Sequence, residues 1–212
     1  MRVINLRRLK CLKKTCQNSG TCLSRVKINF VNYRGIFRRY SMHSTLGVIL
    51  LHRHFLLNQD EKLIEYPGVS TPWTVGISSS SIVGGRITPR CWSISSDKQL
   101  QPTEFRFVIP GDDLFEPDFP EDFIDDFYGF LLRRGLAALM GLTMFNATDA
   151  ISGNREVERT IRRISVTIPV QEAQFEGVEA AWTFGCQENL SDSQFLNARV
   201  WWVCQECKPA SD

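Results

Sequence analysis

Between Leu46 and Leu57 the chain reads L-G-V-I-L-L-H-R-H-F-L-L, its longest apolar stretch, broken only by His52, Arg53 and His54. A run of this kind has to be buried, and it falls short of the roughly 20 residues that cross a bilayer. It is therefore expected to form an interior strand. It also divides the chain electrically. Residues 1–59 carry twelve Lys or Arg and no acid, and residues 60–212 carry thirteen basic and twenty-three acidic residues, so the two parts have charges of +12 and −10 and sum to +2. That split predicts a basic arm joined to an acidic domain.

The expected organisation is a disordered basic extension over residues 1–41, one α+β domain over residues 42–207, and a frayed tail over residues 208–212. Three readings of the arm stand side by side. Arg7, Arg8, Lys10, Lys13 and Lys14 among serines suit a mitochondrial transit peptide. The same charges with Tyr33, Phe37 and Tyr40 suit an arm that binds nucleic acid, by phosphate contact and base stacking. A solvated extension, or sequence upstream of a start at Met42, is the plainest reading. With no membrane-length span and no secretory apolar core, a soluble cytoplasmic protein is expected, or a mitochondrial one if residues 1–41 are a transit peptide. Seven cysteines, an odd number, argue against a disulfide framework.

Downstream, apolar–polar alternation and turn residues predict a series of short strands. Thr45–Leu57 is expected to pair with Lys62–Tyr66 as a hairpin closed by Pro67-Gly68. Pro72–Ile77, Ile87–Ile94, Thr103–Ile109, Ala137–Phe145, Ile161–Val170, Val178–Phe184 and Ala198–Cys204 follow, with residues 146–155 as a polar connection. In Thr103–Ile109, Phe105, Phe107 and Ile109 form the apolar face; in Ile161–Val170, Ile164, Val166 and Ile168 do so. One main helix is predicted at about residues 119–134. Phe123, Ile124, Phe127, Tyr128 and Leu131 define its buried face, Asp118 and Glu121 a capping box, and Gly135 its stop. The fold class is α+β, mostly antiparallel sheet with one main helix.

Candidate chemistry centres on the histidines. Two positions apart on a strand, His52 and His54 point to one face and can converge on one ion. Gly47, His52, His54, Glu61 and Gly68 resemble the first motif of the cupins, missing two of its spacings and lacking any later histidine. That likeness implies Zn, Fe or Mn held by His52, His54 and Glu61. Cys204-x-x-Cys207 is open to three readings: half a zinc site, a redox pair, or two ordinary thiols near a terminus. Eight carboxylates between Asp112 and Asp126 suit a helix start, or docking of a basic partner. No Gly-x-Ser-x-Gly elbow, phosphate loop or dinucleotide fingerprint is present.

The segments L-L-H-R-H-F-L-L (residues 50–57), P-T-E-F-R-F (residues 102–107), V-E-A-A-W-T-F-G (residues 178–185) and V-W-W-V-C (residues 200–204) resemble a large group of uncharacterised fungal proteins. The resemblance covers residues 43–205, marks His52, Glu104, Glu179 and Trp182 as its pattern, and implies no activity. With His54 these form the expected binding set. The leading expectation is a non-enzymatic domain that binds a small molecule or a protein and has no cofactor, with nucleic acid engaged only through residues 1–41. The alternative is a metal-dependent enzyme built on His52 and His54, with Glu61, Glu104 or Glu179 completing the ligands.

Overall fold

A computed structural model describes residues 30–52, 54–74, 84–111, 117–145, 155–170, 178–184 and 199–204. Among them are ten strands and two α-helices. In chain order these are α1 (Phe30–Arg39), β1 (Leu46–Leu50), β2 (Glu61–Tyr66), β3 (Val69–Thr74), β4 (Arg86–Ile94), β5 (Leu100–Val108), α2 (Glu121–Arg133), β6 (Met140–Met144), β7 (Arg155–Ile161), β8 (Ile164–Val170), β9 (Val178–Thr183) and β10 (Arg199–Cys204). The strands close into a barrel in the order β1-β6-β4-β5-β2-β3-β8-β7-β10-β9. Pairing is antiparallel except for β2 with β5 and β7 with β10. The α+β expectation stands, with two helices rather than one.

Strand alternation sorts the barrel wall into two faces. On β1, Leu46, Val48 and Leu50 face outward and pack with Trp92, Leu142 and Trp182 beneath α1 and α2. Ile49, between them, turns inward to Cys91, Ala181 and Phe145. On this side the barrel is therefore apolar on both faces, as the Leu46–Leu50 run requires. Close approach at the seam needs glycine: a Cβ on Gly141 of β6 would sit 2.2 Å from the Trp92 carbonyl oxygen, and one on Gly47 2.5 Å from that of Trp182.

The opposite wall is inverted. On β5, Glu104 and Arg106 turn inward, while Phe105 and Phe107 lie outside under Lys62 and beside Tyr66 and Trp73. On β8, Ser165 is 1% exposed, whereas Ile164 and Ile168 are 42% and 40% exposed. The apolar faces expected to be buried are the outer ones, and the polar faces line the interior. Register shifts in β4 on either side of Cys91 mark a bulge, and the adjacent Arg90 side chain is buried against Glu65.

α2 matches its expected span and buries the expected face. Its N-cap is Pro120, with no side-chain cap bond, so the Asp118–Glu121 capping box does not form. α1 corrects the expectation of a disordered extension for residues 30–39. Its Tyr33 and Phe37 are fully buried, and Phe37 meets Phe123 and Phe127 edge-on. Arg39 and Tyr40 bind Asp126 at 2.6 and 3.0 Å, so part of the acidic stretch serves the chain's own basic helix. Residues 1–29 and 205–212, with the other expectations placed on them, lie outside the described residues.

Three strand assignments also change. β1 ends at Leu50 and pairs with β6 and β9, not with β2. Pro67-Gly68 instead joins β2 to β3. The strand expected over Ile161–Val170 forms as β8 from Ile164 onward, while Ile161 ends β7, and the two strands make a hairpin that turns at Arg162, whose φ is 56°.

Candidate metal centre

β1 stops where its backbone finds other partners. The Leu51 amide donates to the Leu139 carbonyl at 2.8 Å, and the Leu50 carbonyl accepts from His52 Nδ1 at 2.7 Å. The two histidines therefore sit just past the strand rather than on it. They still converge. His52 Nε2 lies 3.3 Å and His54 Nε2 2.8 Å from the same oxygen, Oε2 of Glu158 on β7. The imidazole rings meet edge to face with centroids 4.6 Å apart. All three side chains are enclosed, only 4–5% exposed, and their ligand atoms lie within 4.8 Å of one another. The second Glu158 oxygen, Oε1, accepts a short hydrogen bond from the Ser165 hydroxyl on β8.

The Leu50 carbonyl can only accept, so His52 Nδ1 carries the hydrogen. Its Nε2 then presents a lone pair to a carboxylate unless a proton or a metal ion lies between them. Bonds of about 2.1 Å to a shared ion place neighbouring ligand atoms roughly 3.0–3.4 Å apart at octahedral to tetrahedral angles. The two contacts to Glu158 lie at or just below that range. Burial pushes the Glu158 carboxyl up, but His52 and then His54 outweigh it and hold it well below the usual carboxylate range.

The polar side of the interior carries further buried charge beyond these three residues. Glu65 accepts from Arg106 at 2.6 Å, from the Gly68 amide at 2.9 Å, and meets Arg90 at 3.3 Å. Burial raises the Glu65 carboxyl, yet Arg90 and Arg106 bring it below its ordinary value. The buried Arg90 also lies in the field of Glu104 and Glu156. Cys91 contacts Thr143 at 3.2 Å and Glu104 at 3.5 Å. Burial, then Glu104, pushes its thiol well up, so it is a neutral thiol and no ready nucleophile.

Of the residues singled out in the sequence, His52 and His54 are brought together, and the third member is Glu158 rather than Glu61. Glu61 binds Arg163 and the Asn58 amide at the surface, because it opens β2 beside the turn that precedes it. Glu104 faces Cys91, and Trp182 is 1% exposed in the outer core, where it fills space under the helices. Glu179 lies on β9, its backbone opposite Val203. Cys204 ends β10, and Cys207 is outside the described residues. Ser165 sits on the polar side of the strand expected over Ile161–Val170, and Glu158 lies in R-E-V-E-R-T-I, a polar segment with no recognisable motif. The available signal was its period-two alternation of Glu156, Glu158 and Thr160, which suits a strand whose polar face is the buried one.

No protein-family model, curated protein or solved structure matches the chain.

Proposed function

We propose that the protein is a metal-dependent enzyme whose divalent transition metal is held by Nε2 of His52, Nε2 of His54 and Oε2 of Glu158. The observation that carries this reading is the convergence of those three atoms in an enclosed site, with His52 already oriented by the Leu50 carbonyl. The charge balance of the interior supports it. Among the described residues, Glu65, Glu104, Glu156 and Glu158 outnumber the inward arginines Arg90 and Arg106, which leaves negative charge in excess with neutral imidazoles. One divalent cation offsets that excess. Two imidazoles and one carboxylate suit Fe(II), Mn(II) or Zn(II), and three protein ligands leave positions open for water or substrate, as catalytic centres require.

The second reading is a metal-free binding domain in which protonated histidine replaces the ion. The low-lying Glu158 carboxyl favours it, since an imidazolium holds a carboxylate ionised as a metal does. Metal analysis of the purified full-length chain decides between them. The proposal expects near one equivalent of Zn, Fe or Mn, lost in a His52→Ala/His54→Ala double variant and in Glu158→Gln. A wild-type chain that takes up none of the three after reconstitution, while remaining folded, leaves the binding-domain reading.

A further inference from the structure

We infer that Ser165 is the positioning residue of this centre and that it restricts Glu158 to one ligand oxygen; the inference rests on the metal reading above. Ser165 lies on β8, opposite Ser70 of β3 and Thr160 of β7, and is 1% exposed. Its hydroxyl donates to Oε1 of Glu158, the oxygen that faces away from both histidines. An ionised carboxylate with both oxygens free can chelate an ion and occupy two coordination positions. Here one oxygen is engaged by a buried donor. Turning it toward an ion would leave that hydroxyl without its acceptor in an enclosed site, which is unfavourable. Oε2 alone is therefore presented, beside the two Nε2 atoms.

The consequence is a centre with three ligand atoms on one side and its remaining positions open to a small exogenous ligand. Ser165 touches neither the ion nor that ligand. It acts through Glu158, as outer partners of metal ligands do when they fix orientation.

The test uses Co(II) as the probe ion and azide as the exogenous ligand, on the full-length chain. Wild type is expected to bind one Co(II), to give a visible d–d spectrum, and to change that spectrum on titration with azide. Ser165→Ala is expected to retain Co(II), show a weaker d–d band as the carboxylate chelates, and bind azide at least about ten-fold more weakly. Ser165→Thr, which keeps the hydroxyl, is expected to restore both. An unchanged spectrum and azide affinity in Ser165→Ala overturns the positioning role and leaves the metal centre standing. Failure of wild type to take up Co(II) overturns both. If Ser165→Ala does not fold, Ser165→Cys replaces it, because a thiol is a weak donor of similar shape. Azide affinity equal to wild type in Ser165→Cys overturns the inference.

Discussion

At the scale of single residues, Glu65 shows how a buried charge is kept, by opposite charges that meet it. Glu65 is held below its ordinary value by two arginines, one of them buried. A carboxylate whose folded pKa is depressed contributes stability that is fully present above its unfolded pKa, about 4.3. That contribution is lost as pH falls through the folded value. Glu65→Gln removes the charge and leaves Arg90 buried without its acid, so it is expected to cost about 3–5 kcal/mol at neutral pH. Its stability is also expected to fall less steeply than wild type below about pH 4.3, as read by denaturant unfolding from pH 7 to 3. A parallel acid limb in the two proteins contradicts the assignment. The histidines were legible as a pair because an i, i+2 spacing inside an apolar run is rare enough to notice. Their carboxylate was not, since it is 106 residues away and the sequence does not show which distant acid shares their side of the barrel.

At the scale of elements, what could be read was what obeyed the usual polarity. α2 has an apolar stripe, acids in its first turn and Arg133 in its last, and it forms as its pattern requires. β7 breaks the rule that a strand's apolar side faces inward, so its residues 156–160 give no strand signal of the usual kind. Pro67-Gly68 was rightly read as a turn, but the strand that precedes it pairs with β3 because β1 is taken by β6 and β9. α1 was concealed by its charge. Arg34, Arg38 and Arg39 dominate its composition, while Tyr33 and Phe37, four apart, make the stripe that seats it. Phe37→Ala, a fully buried aromatic lost among Phe123, Phe127 and Phe184, is expected to destabilise the fold by about 3–5 kcal/mol. Chemical denaturation measures it, and a cost below 1 kcal/mol would mean that α1 is no part of the core.

At the scale of the whole molecule, closure depends on backbones that approach too closely for a side chain. Gly141→Ala would press a methyl group on the Trp92 carbonyl, a backbone atom that cannot rotate away. It is expected to lower stability by about 1–3 kcal/mol, the usual range for overpacking, with a matching fall in melting temperature. None of this circular order is visible along the chain, where local hairpins alternate with pairings such as β1 with β6 and β7 with β10.

The place of β10 in that order has a consequence for synthesis. It enters between β7 and β9, parallel to the first and antiparallel to the second, yet it is the last of the ten to leave the ribosome. A nascent chain that has just exposed Thr183 already contains His52, His54, Glu158 and Ser165, but β7 and β9 still offer open edges to one another's neighbours or to other chains. Assembly must therefore wait for Arg199–Cys204 and proceeds by pairings far apart in sequence, the slow class of folding reaction. Translation that stops short of Arg199 would leave the β7 and β9 edges that β10 covers without their partner.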